Sequence, residues 1–306
     1  MPVRIIADLH THTRYSHGKG TVLDNVTVAL ARGLQAVGIT DHGPRSAPWI
    51  GASVRALAQM RQEVAQVDQR AIGIRVLAGA ECNIISVRGD LDVPAHIRHD
   101  LDLVLAGLHP GVLPASGKDW LLLSGNNWVA RFSSNLRRKA RLINTQAVVE
   151  AVWNNEIDVI THPGYHLDID TVELARVCAQ RDTALEINAR HGEMTVAFCR
   201  AAARQGVRFV INSDAHRAVE VGNQSRGIAV AVAAGLEPEQ VLNSDRGDLF
   251  EWLAQKQLRR RAGKAGWADW SEQPALDRAT TSPERRSPER GQTQWSDWSS
   301  QGGKIH

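Results

Sequence analysis

The densest chemistry in the chain lies in ADLHTHTRYSHG, Ala7 to Gly18, where His10, His12 and His17 follow an apolar run. Imidazole ligates divalent metals and also carries protons near neutral pH, so this segment offers both kinds of chemistry. The rest of the chain favours metal binding. ITDHG supplies Asp41 and His42, GAECN supplies Glu81, and GLHP supplies His109. THPG supplies His162, and NSDAH supplies Asp214 and His216. Imidazole and carboxylate without thiolate point to zinc, manganese or iron over copper or magnesium. One zinc ion takes about four ligands, and a catalytic one typically keeps three from the protein plus water. Asp41 aside, nine protein groups with one shared carboxylate therefore suit three ions.

Each of these groups follows a short apolar run, and helical patterns separate the runs. The candidate strands are Arg4–Asp8, Ala36–Thr40, Arg75–Gly79, Leu101–Gly107, Asp158–Thr161, Ala184–Asn188 and Arg208–Asn212. Helix spacing marks TVLDNVTVALARG, SVRALAQMRQEVAQV, NTQAVVEAVWNNE and VELARVCAQRD between them. The alternation predicts an α/β fold, a seven-stranded (β/α) TIM-like barrel with its metal site at the C-terminal face. An open doubly wound sheet is the alternative on pattern alone, but no Gly-rich phosphate loop follows the first strand. Residues i and i+2 of a strand share a face, so His10/His12 and Asp214/His216 can each aim two ligands at one point.

Composition narrows the partners. The chain has 306 residues and a formal net charge of +3. From Gln257 onward there are nine Lys/Arg against six Asp/Glu, so the preceding 256 residues hold 27 of each sign and are neutral. The positive balance is thus a property of the tail and does not favour nucleic acid as a partner. The start turns polar too early for a signal peptide, and no run is apolar enough to span a membrane. Cys82, Cys178 and Cys199 are scattered, as expected of a reduced, cytoplasmic protein. Residues 1–256 read as the barrel, and 257–306 as a disordered tail carrying two SPER repeats and Trp-x-Asp-Trp at Trp267–Trp270 and Trp295–Trp298. Gly111 to Arg141 reads as a long connection over the active face, with a basic cluster at Arg137, Arg138, Lys139 and Arg141.

The assembled motifs resemble those of the PHP (polymerase and histidinol phosphatase) superfamily, and in particular its small stand-alone bacterial phosphatases. The resemblance spans about Val3 to Lys256 and rests on His-x-His, TDHG, the single Glu81, HPG and SDAH. It implies a distorted seven-stranded barrel with a trinuclear centre of divalent ions. By motif, His10, His12, Glu81 and Asp214 hold the first ion. Glu81 bridges to a second held also by His109 and His162, and His17, His42 and His216 hold the third. No ligand of the family set is missing.

Three clustered cations suit in-line hydrolysis of a phosphate ester by a metal-bound hydroxide, with a small phosphate monoester as the expected substrate. Glu81 is expected to fix the ion spacing, and Asp41 to handle protons or orient a neighbouring ligand. Arg14, Tyr15, Lys19, Arg190 and His191 lie just past strand ends, where they could meet phosphate. His96, His99 and His166 are left unassigned. A phosphodiesterase, 3′–5′ exonuclease or nucleotide-bisphosphate phosphatase of the same fold is the main alternative. Amidohydrolase-type C–N hydrolysis is disfavoured, because Glu81 and Asp214-Ala-His216 stand where that group carries a bridging lysine and a lone aspartate. A non-enzymatic recruiting domain is disfavoured by the intact ligand set.

Overall fold

Strands buried on both faces need near-continuous apolar runs, and the runs rich in Val, Ile, Leu and Ala supply them. The computed structural model describes residues 3–271 apart from Pro48 and Ile72, with side chains to Ala262. It contains a parallel sheet of β1 (Ala7–Thr11), β2 (Ala36–Ile39), β3 (Arg75–Asn83), β4 (Leu103–Gly107), β5 (Val159–Ile160), β6 (Ala184–Asn188) and β7 (Phe209–Asn212). The strands neighbour one another in sequence order and form a nearly closed barrel with helices between them, the expected (β/α)7 TIM-like architecture. Side-chain caps start the helices. Thr21 accepts from Asp24 N while the Asp24 carboxylate accepts from Thr21 N, and Ser53, Asp170 and Thr195 each cap a later helix.

Closure between β1 and β7 is incomplete, and side-chain amides seal the seam. Beyond the strand ends, one isolated bridge joins Thr11 and Ala215. Below it, Asn243 Nδ2 donates to Ala7 O (2.8 Å) and Ile211 O (2.7 Å). Gln224 Nε2 donates to the same two carbonyls, and Asn212 Oδ1 accepts from Leu9 N. All three amides are buried, so they satisfy backbone groups that an eighth strand would otherwise pair.

An apolar cluster including Leu9, Leu77, Leu103, Leu105 and Val210 packs on Trp252 and Leu253 of the last helix, Leu249–Ser271. A second cluster joins the outer strand faces to helices such as Val22–Ala31 and Thr171–Gln180.

Three expectations change. β1 starts three residues later than predicted and contains His10, while β3 runs on to Asn83 and contains Glu81. These polar residues remain in strand because their backbones are paired, Glu81 with Leu105 of β4. The segment predicted as a long connection is largely helical. Short turns cover Gly117–Phe132, and the helix Ser134–Asn154 begins well before the predicted NTQAVVEAV stretch. Its basic residues are good helix formers in their own right.

The boundary expected at Lys256 falls inside the last helix, and Met1–Lys264 forms one unit. Lys256 Nζ donates to Ile157 O (3.0 Å), and Arg260 places one guanidinium nitrogen 2.7 Å from both oxygens of Asp158. A second nitrogen of Arg260 donates to Asp102 O. An arginine-rich stretch therefore continues into the fold because a buried carboxylate awaits it. Arg260→Lys should lower stability by about 1–2 kcal/mol, since an ammonium can keep Asp158 but loses the Asp102 bond. Equilibrium urea unfolding checks this, and an unchanged midpoint would deny the helix its anchoring role. Of the remaining unit, Ala265–Ser271 is helical; the SPER repeats and Trp295–Trp298 lie outside the described residues. Among the described residues no helix is long and apolar enough to cross a membrane.

Candidate metal centre

Strand parity explains how residues far apart in sequence meet. In five strands the apolar interior face leads by even steps to a site residue: Ala36 to His42, Leu77 to Glu81, Leu105 to His109, Ala184 to Glu186, and Val210 to Asp214. Two strands break parity, and both are irregular where they do so. The register of β1 shifts between Asp8 and Thr11, which lets His10 and His12 follow Leu9 into the site. After β5, His162 has φ 26°, and Asp214 after β7 has φ 53°. Such backbone costs about 1–3 kcal/mol per residue and concentrates at functional sites. Asp214 and His216 thus converge from a turn beyond β7, not from the strand itself.

Glu81 lies at the centre. Its Oε1 is 3.0 Å from His109 Nε2 and 2.9 Å from His162 Nε2, and it accepts from Thr161 Oγ1 at 2.9 Å. Its Oε2 is 2.8 Å from His42 Nδ1 and 3.3 Å from His10 Nε2, yet takes part in no hydrogen bond. Asp214 Oδ1 stands 3.3 Å from His12 Nε2. His17 completes the ring wall, with its centroid 4.3 Å from that of His216 and 5.0 Å from that of His42.

The structure therefore brings together all nine residues singled out as ligands. Three groups have their ligand atoms within 4.8 Å of one another: His10, His12 and Asp214; His42, Glu81 and His109; and His12, His42 and His216. The grouping differs from the motif-based one. His42 is shared between Glu81 and the His12/His216 side, while His17 and His162 flank these groups.

The donor set fits divalent ions. His10 and His12 oppose their Nε2 atoms at 3.1 Å, and His109 and His162 oppose theirs at 3.3 Å. The Nδ1 atoms of His12, His17, His42, His109 and His162 are buried without hydrogen-bond partners. Lone pairs converging at these separations are arranged as ligands around cations are. Cys82, Cys178 and Cys199 are buried and outside all three groups.

Electrostatics keep Glu81, Asp214, His12 and His17 in ligand form, whereas, despite burial, the surrounding carboxylates raise His10 and His162. Burial alone would raise the Glu81 carboxyl, but His42, His10 and His109 hold it well below its ordinary range. Burial opposes ionisation of Asp214 too, and His10 and His12 hold it low. Burial, then His42, pushes His12 well below its ordinary value, and burial with His216 and His42 takes His17 down to about 4. Both imidazoles are neutral at pH 7 and free to ligate.

Sequence reasoning missed Glu186. It is fully buried, and its Oε1 accepts from His10 Nδ1 at 2.8 Å while Oε2 accepts from His162 N at 2.8 Å. Asn212 and Asn188 donate to the two oxygens, each at 2.9 Å. This carboxylate orients one candidate ligand by its ring and another by its backbone. The available signal was a glutamate inside the apolar strand ALEIN.

Asp41 is buried, but its oxygens accept from Thr13 N (2.8 Å), Thr13 Oγ1 (2.6 Å) and Ser16 N (3.2 Å), and also from Ser16 Oγ. Its carboxylate holds the turn that presents His17 and forms no hydrogen bond with any of the nine candidate ligands, although its backbone carbonyl accepts from Glu81 N at 3.1 Å. Asp41→Asn should therefore keep activity within roughly tenfold, whereas a proton-transfer residue would lose 10²-fold or more. Steady-state kinetics separate the two.

A cavity of about 290 Å³ opens onto the centre, lined by seven of the nine ligands and by Tyr165, Arg190 and His191. Arg190 pairs with Glu220 at 3.3 Å, and His191 Nε2 is 3.2 Å from Asp214 Oδ2. The other expected phosphate contacts are not brought there. Arg14 and Lys19 are exposed and do not line the cavity, and the Tyr15 hydroxyl donates to Glu63.

The PHP domain family matches residues 8–213. The chain belongs to that family. It is 30% identical over 270 residues to a probable phosphatase of Thermoanaerobacter sp. strain X514, covering 83% of this chain and 96% of that one. It is 32% identical, with the same coverage, to a probable phosphatase of Shewanella sediminis. Its fold is similar to that of histidinol phosphate phosphatase from Lactococcus lactis, solved with zinc, L-histidinol and phosphate. The TM-score is 0.52 at 20% identity, covering 76% of this chain and 94% of that one. Asp214 and His216 fall just past the matched span, so their place at the centre rests on the barrel geometry.

Proposed function

We propose that this PHP-domain chain, a phosphate-ester hydrolase, acts on small phosphate monoesters at a centre of three divalent ions, zinc, manganese or iron. The observation that carries the reading is the convergence of the nine candidate ligands, seven of them on the wall of one small cavity. Ions held there would acidify water to hydroxide near neutral pH and neutralise phosphate oxygens.

The protein's own groups supply the rest. Glu81 holds neighbouring sites at fixed spacing, and Glu186 and Asn188 hold the side chains around it. Arg190, on the cavity wall, is placed to bind a non-bridging phosphate oxygen. Hydroxide oxygen bonds to phosphorus, the bond from phosphorus to the ester oxygen breaks, and that oxygen takes up a proton. Six histidines line the cavity, and His191 alone among them is not one of the nine candidate ligands; with its Nε2 beside Asp214 Oδ2, it is placed to hold that proton. His191→Gln should cost roughly 10²-fold in kcat on an alkyl phosphate, whose leaving oxygen needs a proton. On 4-nitrophenyl phosphate, whose leaving oxygen does not, the loss should stay within about tenfold. Equal losses on both would assign His191 a binding role instead.

The reading itself is tested with zinc- or manganese-loaded protein on phenyl phosphate and on its methyl diester. A strong monoester preference that vanishes in His10→Ala/His12→Ala supports it. A diester preference points to the phosphodiesterase alternative.

A further inference from the structure

A second cavity, about 830 Å³, adjoins the first, with His109, Pro110 and Val112 in the walls of both. Its outer wall comes from the segment after β4 that interrupts the alternation of strand and helix, and includes Trp128, Arg131 and Arg137. Asp168 and Glu193, on the loops after β5 and β6, line it as well.

This wall is fixed in place. Leu113 N donates to Arg45 O (2.8 Å) and Ala115 N to Ile85 O (2.7 Å). Asn127 and Asn144 exchange amide hydrogen bonds at 2.8 and 2.9 Å, and Asn144 Nδ2 also donates to Asp168 O at 3.0 Å. A groove that needs no rearrangement to open is ready to receive a ligand.

Its charges are unused. Among the described residues, neither the Arg131 nor the Arg137 guanidinium has a hydrogen bond or ion pair, and Trp128 is 60% exposed. The carboxylates of Asp168 and Glu193 do not pair with these arginines either. An anion entering the groove is attracted by the outer wall and repelled by the loops, which fixes its orientation.

The first cavity is large enough to hold the phosphate by itself, and a phenyl or methyl leaving group would leave the groove open. We infer that the groove holds the substrate's leaving group, and that the preferred substrate is a phosphomonoester bearing a second anionic group bound by Arg131 and Arg137. The inference rests on the phosphatase reading above and names the substrate class for the same site.

The test uses non-hydrolysable ligands, so that binding is read apart from turnover. A ladder of α,ω-alkane bisphosphonates, each paired with the monophosphonate of equal length, is titrated into metal-loaded protein by calorimetry. At the length that spans the two cavities, the bisphosphonate should bind roughly tenfold tighter than its partner. Arg131→Gln/Arg137→Gln should reduce that preference to within about twofold. Arg138→Gln, which removes a neighbouring charge that does not line the groove, should leave it intact. Phenyl phosphate hydrolysis should be unchanged in both variants. The absence of preference at any length, or a preference that survives in the double variant, overturns the inference. A wild type that binds bisphosphonates selectively yet hydrolyses no monoester overturns the phosphatase reading, and the leaving-group assignment with it.

Discussion

Glu81→Gln is expected to lower monoester hydrolysis by roughly 10³-fold or more and to reduce the metal retained per chain. Gln matches Glu in size, so the packing around a residue with no exposed surface is retained. Its carbonyl can still accept from Thr161 Oγ1. What it removes is the negative charge around which His10, His42, His109 and His162 gather, and with it one of the two carboxylate oxygens that face them. Three measurements belong together: metal content by elemental mass spectrometry after gel filtration, turnover of phenyl phosphate, and far-UV circular dichroism. Normal dichroism with depleted metal and activity is the expected outcome. Full metal content with activity within about tenfold of wild type would remove Glu81 from the centre.

Glu186→Ala should cost about 4 kcal/mol of stability, because it strands four buried donors: His10 Nδ1, His162 N, Asn188 Nδ2 and Asn212 Nδ2. Chemical denaturation of the metal-free protein reads this directly. The pH dependence gives an independent check. Burial alone would raise this carboxyl, but His10 holds it below its ordinary value of 4.5. A depressed carboxyl contributes stability that is present above the unfolded-state value and lost as pH falls through the folded-state value. The gap between wild type and Glu186→Ala should therefore be full at pH 6 and narrow progressively below about 4.5. Glu186→Gln is the gentler variant. It fills the space but places an amide donor against donors, and should weaken metal affinity by roughly 10- to 100-fold. A gap independent of pH would mean that Glu186 acts through packing alone.

Much of the site was legible because metal chemistry restricts residue types. A histidine or carboxylate directly after an apolar run stands out, and six such runs among seven in one chain imply a barrel mouth where they converge. Glu186 escaped that reading because it sits within its strand, and it belongs to none of the three candidate ligand groups. Arg14 and Lys19 were read as phosphate contacts from their nearness to His10 and His12 in sequence. The turn held by Asp41 directs His17 inward while leaving both of them exposed. The continuation of the last helix past Lys256 escaped because arginine and lysine read as solvent-facing until a partner such as Asp158 is known.

The sequence by itself determined the alternation of strands and helices, the donor set and the absence of thiolate from it, since these depend on residue type and local period. Tertiary structure alone decided which donors share a point. His10 and His12 reach the interior only because the register of β1 shifts, and His162 only because its backbone takes a left-handed turn. Neither deviation has a local signature, because each is held by contacts with residues distant in the chain: Ala215 against β1, and Glu186 against His162. The seam sealed by Asn212, Gln224 and Asn243 follows the same rule. An amide reads as an ordinary polar residue until the strand whose bonds it replaces is found missing.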